Sequence, residues 1–303
     1  MDRRQQIGKQ GRFRLLCQVI AFAFSNGYVN GWAGGKIYTG PLKRLCVPGL
    51  NCYSCPGALY ACPVGALQAA LNGRGFRLSL YVLGFIGAVG VLVGRLICGF
   101  ACPFGLLQDL LYRIPKFLGG KVKNLPGHRY LRYLRYAVLA VTVIALPLLV
   151  RRGGAGEPWF CEWLCPDGLL LGGIPLLLAD PALRDSVGPR FWTKAAVLAA
   201  FVLLSVKSYR PFCKYFCPLG ALYGMTNPVS LYRLRVDADK CVRCGACQRA
   251  CGMDIRVWET PDSPECIRCG RCRAACPTGA ITGSFSLRGI SQGKNKVRED
   301  AGS

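Results

Sequence analysis

Apolar residues are gathered into long blocks along this chain, with polar and charged residues in the gaps between them. Four blocks have the length of a membrane-crossing helix: residues 15–33, 78–97, 133–150 and 192–209. About 20 residues at a 1.5 Å rise match the ~30 Å hydrocarbon core of a bilayer. Ser25, Asn26 and Asn30 interrupt the first block. It reads as an anchor rather than a cleaved leader, because no small-x-small cleavage site follows it. A shorter run, Gly168–Ala179, contains Gly172, Gly173 and Pro175. It is too short to span and reads as a re-entrant or interfacial segment.

The charges sort the gaps. Arg3, Arg4, Lys9, Arg12 and Arg14 precede the first block, and Arg113, Lys116, Lys121, Lys123, Arg129, Arg132 and Arg135 lie between the second and third. Both segments are predicted to be cytoplasmic, since Lys and Arg are retained on that side. The gap before the fourth block carries Glu157, Glu162, Asp167, Asp180 and Asp185. The bias is moderated by Lys36, Lys43, Arg44, Arg74 and Arg77 in the first outer gap. Four spans return the chain to the cytoplasm, so both termini are predicted there, in a multi-pass inner-membrane protein.

Composition narrows the chemistry. The mean hydropathy of +0.29 is high for a soluble protein. The single histidine, His128, excludes a haem held by paired histidines of this chain and argues against a histidine-based zinc site. The formal charge of +24 counts no thiolates. Nucleic acid, the usual partner of so basic a chain, is not expected, because the basic residues flank apolar blocks and no nucleic-acid motif is present.

The chain has 19 cysteines. Near its end they run Cys241-x2-Cys244-x2-Cys247-x3-Cys251 and then Cys266-x2-Cys269-x2-Cys272-x3-Cys276-Pro277. That is the spacing of a two-cluster bacterial ferredoxin, in which each [4Fe-4S] cluster takes its fourth ligand from the other repeat. Cys241, Cys244, Cys247 and Cys276 are assigned to one cluster, and Cys266, Cys269, Cys272 and Cys251 to the other. Cys251 departs from the pattern, being followed by Gly252 instead of proline, which predicts a loosened or retuned second cluster. Upstream lie three C-x3-C-P pairs, Cys98/Cys102, Cys161/Cys165 and Cys213/Cys217, and a further set, Cys46, Cys52, Cys55 and Cys62. Cys17, within an apolar block, reads as a packing residue.

The word C-P-x-G recurs at Cys62, Cys102, Cys165, Cys217 and Cys276. Proline is pre-set for the first position of a helix. The cysteine then sits where free amides and the helix dipole favour a thiolate and an anionic cluster. A C-x3-C pair puts two sulfurs one turn apart. Two such pairs supply four thiolates, which assigns a third cluster to Cys98, Cys102, Cys213 and Cys217, at the inner face. For a fourth, outer cluster two ligand sets stand open. Cys46, Cys52, Cys55 and Cys62 can serve alone, or Cys161 and Cys165 can supply two of the ligands. Arg95, Arg210 and Lys214 flank the inner pairs. They anchor the cytoplasmic side, and beside a buried cluster they also offset its charge.

The predicted architecture is thus an all-α membrane domain of about four transmembrane helices in two repeated halves over residues 1–235. An α+β two-cluster ferredoxin-like module follows at 236–284, and a disordered tail at 285–303.

Paired C-x3-C-P motifs on apolar helices, followed by a two-cluster ferredoxin module, resemble the NapH/NosR-like family of membrane iron–sulfur proteins. The resemblance implies an electron-transfer subunit of quinol-dehydrogenase type with no substrate site of its own. It would relay electrons between a cytoplasmic donor or membrane quinol and an extracytoplasmic reductase, flavoprotein or cytochrome. Cys98, Cys102, Cys213 and Cys217 match the family's pairs. Cys161/Cys165 and the four cysteines from Cys46 to Cys62 depart from it and suggest an exit at the outer face. A redox-active assembly factor, or a redox sensor serving another membrane metalloenzyme, is the rival reading.

Overall fold

The structure is a computed structural model describing residues 3–72, 80–114, 120–152 and 155–286. The start of the second apolar block, Lys116, and the predicted tail beyond Ser286 lie outside these residues. The first block is not one continuous rod. Its helix, Arg3–Ser25, is polar up to Arg14 and apolar afterwards. It ends where Ser25 Oγ and Asn26 Nδ2 turn back onto the Ala21 and Phe22 carbonyls, at 2.7 and 3.2 Å. Such side chains compete with the helix's own ladder.

The second block forms Leu80–Val93 and breaks at Gly94, φ 54°. A Cβ there would meet Asn227 Oδ1 at 2.3 Å, so only glycine fits. Leu96–Phe100 and Pro103–Leu111 follow. The last block ends in the same way. After Pro189–Lys207, Arg210 takes φ 50°, and Pro211–Tyr215 and Pro218–Thr226 follow. Among the described residues, two helices, His128–Leu149 and Pro189–Lys207, are long and apolar enough to cross a membrane; Leu80–Val93 and Gly168–Ala179 are shorter apolar helices.

Large apolar side chains are exposed while several charged ones are buried beside the apolar core. Leu149 is 80 % exposed and Leu80 78 %, while Arg95 and Arg210 are fully buried and Asp109 is 3 % exposed. The buried charges are paired. Asp109 accepts from Arg14 Nη2 at 2.7 Å, from Arg210 Nε at 2.9 Å and from Arg210 Nη2 at 2.5 Å. Burial pushes the Asp109 carboxyl up, but Arg210 and Arg14 outweigh it and hold the group at about 2. This knot ties the first helix to Pro103–Leu111 and to the turn before Pro211.

The ferredoxin-like module is closed by an antiparallel pair, Tyr232–Val236 against Ile281–Phe285, with Tyr232 opposite Phe285. The strand begins ahead of the expected boundary at 236, because Tyr232 to Arg235 are needed to pair with Thr282 to Phe285. Asn227 docks the module on the helical part, donating to the carbonyls of Ser263 and Cys266 at 3.0 and 2.8 Å. Arg268 reaches back to the carbonyls of Val93 and Asn227, and Arg135 forks onto Glu265 at 2.6 and 2.7 Å.

Candidate metal centres

In the module, one small cavity is lined by Cys241, Cys244, Cys247 and Cys276. Cys251, Cys266, Cys269 and Cys272 form a separate group whose thiols act on one another electrostatically. These are the two sets expected from the spacing. The departure after Cys251 leaves no mark on the backbone. Cys251 has φ −77°, ψ 114°, and Cys276, which does precede proline, has φ −72°, ψ 120°. The glycine has another cause. A Cβ on Gly252 would lie 2.4 Å from the Tyr209 ring. Gly252 is the space into which the helical part inserts Tyr209, whose hydroxyl accepts from Arg14 at 2.7 Å.

Cys98, Cys102, Cys213 and Cys217 converge although 115 residues separate the two pairs. Cys217 feels Cys213, Cys98 and Cys102, and Cys102 feels Cys213 and Cys98. In each half the first cysteine sits in a short helix and the second in extended backbone ahead of Pro103 or Pro218. The residue before proline is steered to that region. Donors point at the sulfurs. The Gly220 amide reaches Cys217 at 3.3 Å, Gln108 Nε2 reaches Cys213 at 3.2 Å, and the Gly105 and Leu50 amides reach Cys102. Arg210 Nη1 donates to the Cys98 carbonyl, and Arg95 Nη2 to that of Cys213 at 2.9 Å.

The outer cysteines divide. Cys52, Cys62, Cys161 and Cys165 line one cavity of about 630 Å³ with Lys43, Asp167, Arg190 and Lys194. A Cβ on Gly65 would touch the Cys62 Cβ and Cys161 Sγ, and one on Gly168 would touch Cys52 Sγ and the Cys165 Cβ. Cys46 and Cys55 stand outside the cavity lining. Cys55 donates to Asn26 Oδ1 at 3.5 Å, and the Cys46 amide to the Tyr81 hydroxyl at 3.1 Å. Burial pushes Cys55 and Cys46 to about 11 and Cys52 to about 12. Asp167 is 1 % exposed, and burial raises it to about 8. Cys17 joins no group.

The three neighbourhoods adjoin. A Cβ on Gly99, the residue after Cys98, would lie 2.6 Å from the Ile267 carbonyl oxygen and 3.8 Å from Cys269 Cα. The inner and outer sets meet at Tyr223. Its hydroxyl donates to the Pro48 carbonyl at 3.0 Å and feels Cys98 and Cys102 of the inner set as well as Cys62 and Cys46 of the outer neighbourhood. Sequence reasoning put these sets at opposite faces. Residues 48–50 fold onto the Cys102–Pro103 turn, where the Leu50 amide meets the Cys102 thiol. The sets are still displaced along the long helix. Tyr215, two residues from Cys213, bonds His128 at 3.0 Å. The Cys161 amide donates to Gln68, whose Nε2 reaches the Thr142 carbonyl at 3.0 Å. Fourteen residues from His128 to Thr142 make about 21 Å.

Among the described residues no three Cys, His, Asp or Glu side chains close around a single metal ion. Cys241, Cys244, Cys247 and Cys276 surround one cavity and Cys52, Cys62, Cys161 and Cys165 another, and amides are aimed at the sulfurs of Cys102 and Cys217, as the thiolate ligands of an anionic cluster require. Burial raises Cys102, Cys213 and Cys217. Without iron they are neutral thiols, and thiolate formation accompanies metal binding. Donor chemistry and geometry therefore fit [4Fe-4S] ligation.

A family model described as 4Fe-4S binding domain matches residues 60–81, 74–124, 134–178 and 192–235, over half of the chain. A second model of the same description matches residues 234–256 and 260–282. The chain belongs to the 4Fe-4S binding domain family, and it binds [4Fe-4S] clusters. Its relatives include proteins carrying the names foreseen from the motifs. An uncharacterized protein of Methanocaldococcus jannaschii is 31 % identical over 191 residues, 61 % of this chain and 60 % of that protein. The methylamine utilization ferredoxin-type protein MauN of Methylorubrum extorquens is 31 % identical over 196 residues, 64 % of this chain and 58 % of that protein. The ferredoxin-type protein NapH of Haemophilus influenzae is 25 % identical over 162 residues, 53 % of this chain and 48 % of that protein. The regulatory protein NosR of Pseudomonas aeruginosa also matches. The chain spans less than two-thirds of the length of each of these relatives. No solved structure matches it.

Proposed function

We propose that this protein is a membrane electron-transfer subunit with four [4Fe-4S] sites in series. The ferredoxin-like module, from about Tyr232 to Phe285, holds one at Cys241, Cys244, Cys247 and Cys276 and one at Cys251, Cys266, Cys269 and Cys272. The helical part holds one at Cys98, Cys102, Cys213 and Cys217. The fourth falls to Cys52, Cys62, Cys161 and Cys165, which favours the second of the two ligand sets left open by the spacing and leaves Cys46 and Cys55 spare. Each bound cluster supplies a one-electron couple. The chain's own residues bury the sites, aim amides at the sulfurs and offset their negative charge with Arg95 and Arg210.

The carrying observation is the continuity of the sites: Gly99 packs on Ile267 and Cys269, and Tyr223 feels cysteines of both the inner and the outer neighbourhoods. The exposed apolar belt, with Phe24, Leu80, Leu149 and Trp192 each at least 66 % exposed, supports membrane insertion. Four spans in two similar halves, each ending in a left-handed residue, a short helix and a C-x3-C-P turn, are the reading the local geometry favours. The positive charges support a cytoplasmic side for the module and both termini. A cytoplasmic donor or membrane quinol and an extracytoplasmic reductase, flavoprotein or cytochrome are the partners this arrangement serves. The names of the ferredoxin-type relatives support the same role.

Iron analysis after anaerobic purification tests the reading. Four cubanes require about 16 iron atoms per chain, against about 8 for the module alone. A stable value near eight would leave the helical sites empty and favour the assembly-factor or sensor roles.

A further inference from the structure

The two C-x2-C loops of the module share one backbone and have opposite surroundings. Arg243 and Arg268 both take left-handed φ, 48° and 52°, and Gly245 and Gly270 follow at 70° and 77°. The second loop is buried, with Cys266 8 %, Ile267 1 % and Arg268 2 % exposed. Its carbonyls and its arginine form the joint to the helical part, through Asn227 to Cys266, Gln10 to Cys269 at 3.0 Å, and Arg268 to Val93. The first loop presents the same geometry to solvent. Val242 is 65 % exposed, and Arg243 and Cys244 are exposed with it.

We propose that the first loop, Val242, Arg243 and Cys244, is the docking surface for an acidic one-electron carrier protein. This rests on the electron-transfer reading above and adds the place and charge of the partner. The second loop shows how such a turn makes a contact, with an apolar tip, an arginine and outward carbonyls against a complementary surface. The charge around the first loop selects the partner's sign. Lys240, Arg243 and Arg249 are exposed there, against the carboxylates of Asp237 and Asp239, and Asp237 is taken by Lys240 at 3.2 Å. Complementary charge acts mainly on the rate of encounter and is screened by salt. The carrier loses one electron and the module gains one; no atom is transferred.

The test follows bleaching of the module's iron–sulfur absorbance in the intact, cluster-loaded protein. Two reductants are compared: reduced flavodoxin, which is acidic, and reduced methyl viologen, a small radical monocation that needs no docking surface. The wild-type flavodoxin rate should fall at least tenfold between low and high salt. In R243E it should fall at least tenfold at low salt, and in R243Q by less, with no fall in the viologen rate in either. R184E, remote from the module, should match wild type. A salt-independent flavodoxin rate, or an R243E rate equal to wild type, overturns the proposal. So would a dimer that R243E dissociates while the flavodoxin rate rises, since the face would then belong to a second copy. Failure of the electron-transfer reading is seen separately, as a module that bleaches normally while the helical sites stay oxidised.

Discussion

The inner and outer cysteine sets are built from the same C-P-x-G word and differ in nearly everything around it. The inner set has four cysteines with none to spare. Its thiols are buried and faced by amides, and Arg95 and Arg210 bond to the carbonyls of its own cysteines. The outer neighbourhood has six cysteines, four of them around a cavity of about 630 Å³ that Lys43, Arg190 and Lys194 also line. A repeated motif therefore specifies a local turn, a cysteine in extended backbone ahead of a helix. It does not specify the partners of that turn. At the inner set both members of each pair converge. At the outer set Cys62 and Cys52 come from different segments and meet the pair Cys161/Cys165, leaving the closer-spaced Cys55 aside.

The largest way to break the inner side is through its charges. Asp109 is the shared acceptor of Arg14 and Arg210. In D109A two guanidiniums remain buried without their carboxylate, and loss of one member of a buried ion pair costs roughly 3–5 kcal/mol. D109A should therefore lower the yield and thermal midpoint of the purified protein far more than D180A, at an exposed residue, measured by a thermal melt in detergent.

Removing single ligands sharpens the comparison next. C217A and C102A should each lose one and the same paramagnetic signal, because both halves build the inner set. C161A should lose a different signal, and C55A none. If C55A removed the outer signal and C161A spared it, the outer cluster would belong to Cys46, Cys52, Cys55 and Cys62 alone.

The smallest expected effect lies between the two sets. Y223F keeps the ring and removes the bond to the Pro48 carbonyl, a contribution of about 1 kcal/mol. Stability and cluster content should barely change. Electron exchange between the inner and outer sites should slow by a few-fold as residues 48–50 lose their tether to the helix Pro218–Thr226. Rapid-freeze spectroscopy of the two signals measures this, and an unchanged rate would remove Tyr223 from the path.

Much of this was legible in the sequence, for a definite reason. The ferredoxin sets obey a spacing rule in which all ligands lie within 36 residues, so local pattern and three-dimensional neighbourhood coincide. The inner set was legible because each half supplies a complete pair. The outer neighbourhood was legible only as two open ligand sets, because Cys52-x2-Cys55 has the spacing of a local cluster motif while Cys161 and Cys165, which share a cavity with Cys62, lie about a hundred residues away. The Arg14–Asp109–Arg210 knot was also missed. Isolated charges at the ends of apolar blocks look like anchors facing water, and nothing in their spacing reveals that they face one another. Gly252 was legible only as an irregularity. Its cause, the ring of Tyr209, belongs to the packing of two separate parts of the chain. The interruption of the first block at Ser25 and Asn26 was legible, but the break in the second was not, because hydropathy does not register the left-handed Gly94.

The central claim is that the outer site receives its electrons through the inner one. It is tested most directly in vesicles holding the loaded protein, with an impermeant reductant on the module side and the outer signal followed by rapid-freeze electron paramagnetic resonance. In wild type the module, inner and outer signals should be reduced in turn. In the C102A, C217A double variant the module should still be reduced while the outer signal stays oxidised. Undiminished reduction of the outer site in that variant would contradict the series arrangement.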